Sequence, residues 1–292
     1  MSHRSGFVNI LGNPNVGKST IMNALVGEKL SIITAKAQTT RHRIMGIVNG
    51  DDFQIVYSDT PGILRPQYKL QETMMNFVNS ALTDADTILY VSDVLEHNAF
   101  EGEYIDKIKE SGIPVIIALN KVDLTNQEEL EKLVASWHNA FPDSPVIPIS
   151  GLRKFNLDSL LNAILAKLPE GPAFFPKDQL TDKYERFFAS EIIREKILVH
   201  YQKEIPYSVE IEIESFKEEK AIIKIRAVIH VTRDSQKGII IGHKGSMLKR
   251  VGTEARRDME GFFNKKVFLE LYVKVTKDWR DKPLILKRFG YQ

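Results

Sequence analysis

The 292-residue sequence predicts an α/β fold, in which a mostly parallel sheet flanked by helices is followed by a smaller α+β domain. Three observations lead to this prediction. A glycine-rich loop separates a short apolar run from a helical pattern near the N-terminus, and later apolar runs also end in polar tetrapeptides, as strands of a parallel sheet do. A proline-rich segment at residues 169–176 then separates this part from a new series of alternating strands.

The glycine-rich loop is a P-loop. Residues 12–20 are GNPNVGKST, which fits G-x-x-x-x-G-K-[ST], between a predicted strand at 7–11 and a predicted helix at 20–26. Glycines let backbone N–H groups turn toward phosphate oxygens, the lysine reaches the terminal phosphates, and the serine hydroxyl binds Mg²⁺. The predicted nucleotide contacts here are Gly12, Asn13, Asn15, Val16, Gly17, Lys18, Ser19 and Thr20.

The tetrapeptide N-K-V-D predicts which base is bound. Asn120, Lys121 and Asp123 follow an apolar run at 115–119, so they lie at the carboxyl end of a strand, where open α/β sheets bind ligands. A carboxylate at Asp123 can accept hydrogen bonds from N1–H and the exocyclic amine of guanine. Adenine has no N1 donor and would leave that carboxylate unpaired. The predicted ligand is therefore GTP or GDP.

Two further segments predict a magnesium site. Asp59 and Gly62 belong to a D-T-P-G sequence after an apolar run, where the carboxylate can hold Mg²⁺ and the glycine N–H can contact the γ-phosphate. The polar segment at 29–43 has the position of a switch loop whose threonine closes on the metal. The predicted metal ligands are Ser19, Thr40 and Asp59, with Thr39 as the alternative to Thr40. The predicted catalytic residues are Lys18, Thr40 and Asn15.

The remaining nucleotide contacts are less specific. Ser150, Gly151 and Leu152 follow a predicted strand at 146–149, and their backbone can lie against the guanine base. Ile63 occupies the position where many switch GTPases carry a glutamine that orients water. We therefore expect slow intrinsic hydrolysis and another source of charge stabilisation, for which Asn15 could hold a monovalent cation.

Composition excludes several other classes of protein. The chain has no cysteine, which excludes disulfides, thiolate metal sites and cysteine nucleophiles. No apolar run reaches about 18 residues, and the N-terminus enters the first strand at once, so we expect neither a transmembrane helix nor a signal peptide. Residues 230–292 hold 15 basic and 7 acidic residues, against 25 and 31 in the rest. This asymmetry predicts a polyanionic partner for the C-terminal part.

The predicted domain boundaries follow from the proline-rich segment. Domain one covers residues 1–170, a linker covers 171–181, and domain two covers 182–292 with a basic C-terminal tail. Prolines end the last helix of the first domain, and two phenylalanines predict that the linker packs on a surface.

The second domain has the pattern α-β-β-α-α-β, with G-x-x-G between its later helices. This order is that of a type II KH domain, whose G-x-x-G turn clamps about four nucleotides of single-stranded nucleic acid. The isoleucines at 239–241 form the predicted apolar groove for bases. The predicted RNA-binding residues are Gly238, Ile241, Gly242, His243, Lys244, Gly245, Lys249 and Arg250.

From end to end the chain resembles the Era family of bacterial ribosome-associated GTPases. The residues that carry the resemblance lie at 12–20, 37–43, 59–62, 120–123 and 238–245. The resemblance implies a Mg²⁺-dependent GTPase with a KH domain that binds the 3′ end of 16S rRNA during 30S subunit assembly, with some peripheral association with the inner membrane. Some GTPases with an apolar residue at position 63 use K⁺. Gly151 departs from the family, which usually has alanine there.

The predicted function is a GTP-hydrolysing switch that times rRNA binding, in a cytoplasmic monomer. Two alternatives stay open. One is a nucleotide-sensing RNA chaperone with little turnover. The other is a membrane-associated regulatory GTPase, because the basic tail at 274–288, with Trp279, suits RNA or an anionic lipid surface.

Overall fold

The computed structural model describes residues 3–96 and 99–291. The chain divides into two compact units. One consists of the chain up to Arg65 together with Met74–Asp182, and the other consists of Pro66–Thr73 together with the chain from Lys183 onward.

The first unit contains a six-stranded sheet in the order β2-β3-β1-β4-β5-β6. Only β2 runs antiparallel to its neighbour, β3. The carboxyl ends of the other strands meet at one edge, and the strand order reverses beside β1, which is where α/β sheets bind ligands. The strands are β1 (Arg4–Leu11), β2 (Ile44–Asn49), β3 (Phe53–Asp59), β4 (Thr87–Asp93), β5 (Val115–Asn120) and β6 (Val146–Pro148).

Helices cover this sheet and bury its apolar strands. They are α1 (Lys18–Val26), α2 (Lys69–Thr83), α3 (Glu103–Glu110), α4 (Gln127–Ala140) and α5 (Leu157–Lys167). The Trp137 ring of α4 is buried against Tyr90, with ring centroids 5.5 Å apart. The expected mostly parallel sheet flanked by helices is confirmed.

The segment after α5 packs on the first unit, as its two phenylalanines predict. The Phe174 ring lies 4.9 Å from Phe7 between centroids. The Gln54 side-chain oxygen accepts hydrogen bonds from the backbone N–H groups of Phe174 and Phe175 at 2.7 and 2.9 Å. The Thr181 hydroxyl donates to the carbonyl of Met45 at 2.6 Å.

The second unit has a three-stranded sheet in the order β7-β8-β9, with β7 antiparallel and β9 parallel to β8. The predicted order is confirmed, with two short helices added, one of them (α7) at the predicted start of the first strand. The elements are α6 (Glu185–His200), α7 (Ile205–Ser208), β7 (Glu210–Glu218), β8 (Ile222–Val231), α8 (Asp234–Ile241), α9 (Ser246–Phe263), β9 (Lys266–Val275) and α10 (Pro283–Arg288).

Helices α6, α8 and α9 cover one face of this sheet. Val251, Ala255 and Met259 of α9 are fully buried, as their spacing predicts. Ile240 of α8 belongs to the same core and is fully buried. The expectation that Ile240 helps to form a groove for bases was therefore wrong, because α8 is helical there and turns this side chain inward.

The C-terminal segment is packed through its apolar side chains, while its basic side chains at 274, 277, 282 and 287 stay exposed. Trp279 is fully buried, and its indole N–H donates to the carbonyl of Ser208 at 3.1 Å. The Arg288 guanidinium contacts both carboxylate oxygens of Glu212. No helix among the described residues combines the length and the apolar character that crossing a membrane requires.

Candidate functional site

The predicted nucleotide motifs line one cavity of about 440 Å³ at the carboxyl edge of the six-stranded sheet. It lies where the loops after β1, β3 and β5 meet the switch segment and the loop after β6. The predicted residues on its wall are Asn15, Gly17, Lys18, Ser19, Thr20, Thr40, Gly62, Asn120, Lys121, Asp123, Ser150 and Leu152.

The P-loop needs its glycines for two reasons. Gly12 and Gly17 both have positive φ, +146° and +99°. A Cβ at Gly12 would lie 2.1 Å from the carbonyl oxygen of Val91, and one at Gly17 would lie 2.3 Å from Nδ2 of Asn120. The loop is therefore compact enough for its backbone to approach a ligand closely.

Lys18 supplies a buried positive charge to the cavity. Its side chain is buried, and Nζ donates to the carbonyls of Gly12 and Asn13 at 2.9 and 2.8 Å. Burial lowers the pKa of Lys18 to about 8, although the charges of Asp59 and Glu96 act in the opposite direction. An ammonium held this way can form stronger, charge-assisted hydrogen bonds to phosphate oxygens.

Three oxygen atoms converge beside Lys18. The Ser19 hydroxyl donates to Asp59 Oδ2 at 2.6 Å and lies 2.9 Å from the Thr40 hydroxyl, which is 3.4 Å from the same Oδ2. The buried Asp59 Oδ1 has no partner in hydrogen-bond geometry, although the Ser31 hydroxyl is close enough to stabilise the carboxylate charge. Burial nevertheless raises the pKa of Asp59.

These donors fit Mg²⁺, because it prefers hard oxygen ligands and is commonly bound through one carboxylate and substrate phosphates. The structure also separates the two candidate threonines. The Thr39 hydroxyl donates to the Lys36 carbonyl at 2.6 Å and contacts the Thr34 hydroxyl at 2.7 Å. The Thr40 hydroxyl is the one that contacts Ser19 and Asp59, which favours Thr40 as the metal ligand.

Asn120 joins three loops of the site. Its Nδ2 donates to the Val16 carbonyl at 2.8 Å, and its Oδ1 accepts from the Gly151 N–H at 2.9 Å. Lys121, at φ +64°, donates from Nζ to the Asn15 carbonyl at 2.8 Å and to Asp93 at 2.5 Å. These two residues therefore brace the loops of the site against one another.

Asp123 and Leu152 lie on the wall of the same cavity. The Asp123 side chain is exposed on the cavity wall, and Leu152 is 75% exposed. Gly151 lies behind them, where a Cβ would be 3.0 Å from Cγ1 of Ile21. The glycine at 151 therefore relieves a close contact with α1.

Some predicted residues support the cavity from behind without lining it. They are Gly12, Asn13, Val16, Asp59 and Gly151. Sequence reasoning missed Glu96, whose carboxylate accepts from Asn13 Nδ2 at 2.8 Å and from the Ser92 hydroxyl at 2.9 Å. It follows β4 in no recognisable motif, so only the fold brings it to the P-loop.

A second cavity, of about 390 Å³, lies in the second unit. Gly245 and Lys249 line it from the turn and α9, and Leu269 and Leu271 line it from β9. Three of the four residues in the turn between α8 and α9 have positive φ: +71° at Gly242, +48° at Lys244 and +78° at Gly245.

This cavity, called the groove below, lies between α9 and β9, and residues 239–241 are not among the residues that line it. His243 and Lys244 are exposed at its end. Of the other predicted RNA-binding residues, Gly238 is exposed on α8, Ile241 is partly buried, and Arg250 lies 3.1 Å from Glu254.

Family models match both units of the chain. Residues 7–121 match a model described as "50S ribosome-binding GTPase", and residues 204–280 match a KH domain model. The G-x-x-G turn and the groove both fall inside the second match, and the P-loop falls inside the first.

Curated relatives match almost the whole chain. It is 48% identical to the GTPase Era of Syntrophus aciditrophicus over 99% of this chain and 95% of the relative. It is 43% identical to the GTPase Era of Clostridium kluyveri over 99% of both chains.

Two solved structures share the fold over 99% of both chains at 39% identity. One is Era in complex with MgGDPNP and nucleotides 1506–1542 of 16S ribosomal RNA, with a TM-score of 0.95. The other is an Aquifex aeolicus Era variant bound to GDP·AlF4⁻, with a TM-score of 0.94. Together with the geometry of the two cavities, these matches show that the chain belongs to the Era family of P-loop GTPases.

Proposed function

We propose that this GTPase couples GTP hydrolysis to binding of the 3′ end of 16S rRNA and assists assembly of the 30S subunit. The convergence of Ser19, Thr40 and Asp59 beside Lys18 carries the nucleotide part of this proposal. The similar Era structure with MgGDPNP and 16S rRNA nucleotides supports the RNA part.

The nucleotide part assigns a role to each group. Lys18 would exchange its hydrogen bonds to the Gly12 and Asn13 carbonyls for bonds to the terminal phosphates. Ser19, Thr40 and Asp59 would hold Mg²⁺, which supplies charge neutralisation for the phosphates. Asp123 would accept hydrogen bonds from guanine, and the backbone of 150–152 would lie against the base.

The hydrolysis step needs a source of charge other than residue 63. Ile63 packs against the apolar core of the first unit, and its N–H donates to the Gly12 carbonyl at 3.1 Å. It can neither polarise nor orient water.

We propose that K⁺ supplies part of the missing charge. Asn15, which is exposed on the cavity wall, would be one of its ligands. Hydrolysis in K⁺ should exceed hydrolysis in Na⁺, and Asn15→Ala should remove the difference. Equal rates in the two salts would reject this role.

The RNA part places a single strand in the groove between α9 and β9. Gly242 and Gly245 allow close approach of the backbone, and Lys244 and Lys249 offer charge to phosphates. The apolar floor at Leu269 and Leu271 can receive unstacked bases.

We propose that the protein acts in the cytoplasm as a monomer, with domain boundaries near residues 170 and 182. Contact with the inner membrane would depend on the exposed lysines of the C-terminal segment, such as Lys277 and Lys282, because Trp279 is buried. Pelleting with anionic vesicles after ribonuclease treatment tests it, and a protein that stays in the supernatant rejects membrane contact.

A pair of adjacent variants tests the proposed switch. Thr40→Ala should lose Mg²⁺-dependent GTP hydrolysis, whereas Thr39→Ala, whose hydroxyl contacts Lys36 and Thr34, should retain most of it. Each variant is assayed with and without an RNA of 16S nucleotides 1506–1542. Equal activity of the two variants would reject the metal assignment. If the RNA changes neither the rate of GTP hydrolysis nor the GTP affinity of the wild type, the result would favour a GTPase that is not coupled to rRNA.

A further inference from the structure

The second unit carries exposed aromatic side chains outside the groove. Phe268 and Tyr272 of β9 are 51% and 49% exposed. Strand neighbours point to opposite faces, so Leu269 and Leu271 line the groove while Phe268 and Tyr272 lie on the other face of the sheet. We call the part of this face around Phe268, Tyr272 and Arg226 the outer platform.

The platform also carries positive charge. The Arg226 guanidinium lies over the Tyr272 ring at 5.6 Å from its centroid. Arg226 contacts Glu270 at 3.3 Å and Lys224 contacts Glu219 at 2.8 Å, but exposed pairs of this kind contribute little and exchange readily. Three further lysines on this face make no ion pair with a described residue: Lys217, Lys266 and Lys274.

The C-terminal segment covers only the neighbouring part of the same face. Arg288 contacts Glu212, and the Phe289 ring lies 4.8 Å from the His230 ring. These contacts cover His230 and part of Glu212. Tyr272 and Lys274 lie in register with Val228 and His230 on the edge strand β9 and stay exposed, as Phe268 does, so they form the open part of the face. The open part is therefore the part with the charge that suits a polyanion.

We infer that the outer platform binds bases of a single-stranded RNA that continues past the groove. Exposed aromatic rings beside basic side chains are the combination on which unpaired bases stack while phosphates are neutralised. Strand β9 is the edge of the sheet and belongs to both surfaces, so a strand leaving Leu269 and Leu271 can cross this edge to Phe268 and Tyr272. A protein partner would have to bury the unpaired lysines, which disfavours it.

This inference rests on the proposed RNA binding at the groove. The groove accounts for about four nucleotides, so a longer RNA should gain affinity from the platform and a short one should not. The test compares two sets of unstructured fragments drawn from 16S nucleotides 1506–1542, one of about four nucleotides and one of about twelve.

The variant Phe268→Ala/Tyr272→Ala should bind the longer fragments about tenfold more weakly for each ring lost, with affinity for the short fragments unchanged. Tyr184→Ala is the matched control, because that ring is 81% exposed and lies outside the sheet. The slope of affinity against salt should stay the same in the double variant, since stacking releases no counterions.

Ultraviolet crosslinking gives a second measurement. Longer RNA should crosslink to peptides that contain Phe268 or Tyr272, and short RNA should crosslink only to peptides of the groove. Equal affinity of the double variant and the wild type for the longer fragments, with crosslinks confined to the groove, would overturn the platform alone. Failure of the wild type to bind either length would instead overturn the proposed RNA binding.

Discussion

The side-chain amide of Asn120 donates to the backbone carbonyl of Val16 at 2.8 Å, joining residues that lie 104 positions apart. The same side chain accepts from the N–H of Gly151. Both contacts are buried, so the P-loop, the loop after β5 and the loop after β6 are fixed as one unit.

We predict that Asn120→Asp destabilises the nucleotide-free protein. A carboxylate would lose the donor to Val16 and place its charge against that carbonyl, at a cost of about 1–3 kcal/mol in the free energy of unfolding. Denaturant unfolding measures it, and GTP affinity should fall in parallel. Asn126→Asp is the control, because this residue caps α4 by accepting from the Glu129 N–H, which aspartate also does. Equal stability of the two variants would contradict the bracing role.

The pKa of Lys18 predicts how GTP affinity depends on pH. In the free protein burial lowers this pKa to about 8, and bound phosphates favour the charged ammonium. Affinity should therefore be constant below about pH 8 and fall above it, with uptake of a proton on binding. Calorimetry in buffers of different ionisation enthalpy measures the uptake. Guanosine, which lacks phosphates, is the control, and an identical pH profile for guanosine would argue against Lys18.

Gly62 predicts a steric effect on the γ-phosphate side of the cavity. A Cβ there would lie 2.7 Å from the backbone of Pro14, which cannot move without distorting the P-loop. Gly62→Ala should therefore slow hydrolysis and weaken GTP binding by about tenfold or more. Gly261→Ala, with open space around its Cβ in α9, should leave both unchanged. Steady-state kinetics compares the two variants. Equal hydrolysis rates would show that the P-loop tolerates a displacement at Pro14.

Asp123→Asn should change base preference. The amide can donate where the carboxylate accepts, so affinity for GTP should fall and affinity for XTP should rise. Competition binding measures the ratio, with Asp143→Asn as an exposed control outside the cavity. An unchanged GTP-to-XTP ratio would remove Asp123 from base recognition.

The G-x-x-G turn predicts a separable loss of RNA binding. His243→Asp/Lys244→Asp should lower RNA affinity strongly, because two carboxylates would face phosphates, while GTP hydrolysis without RNA persists. This variant is preferred to a substitution at Gly242, because a Cβ there would lie 2.7 Å from Cγ of Met247 and would disturb the turn itself. Lys203→Asp, an exposed position elsewhere, is the control. RNA affinity equal to that of the control would place the binding surface elsewhere.

The sequence predicted the parts of the site that depend on local geometry. The P-loop was predictable because its glycines and Lys18 lie in one short segment, where their spacing alone determines the local geometry. The choice between Thr39 and Thr40 was not, because it depends on the path of the switch segment past Asp59. Ile240 was placed wrongly because three adjacent isoleucines do not show which one a helix turns inward.

Charge composition was informative but incomplete. The excess of basic residues after residue 230 correctly indicated a polyanion partner for the family, but it could not show that Arg288 is held by Glu212 or that Trp279 is buried. Those contacts join the C-terminal segment to β7 and α7. They link residues far apart in the sequence, so a local sequence pattern could not predict them. Glu96 was missed for the same reason.

The packed C-terminal segment has a consequence for the order of events during synthesis. Every strand of the six-stranded sheet has been made by Pro148, whereas β8 lacks its parallel partner until β9 is made, and Ser208 lacks the Trp279 indole until later still. Domains fold as units while the chain emerges, the N-terminal one first. The first unit can therefore complete its nucleotide-binding cavity before the sheet of the second unit has all its strands.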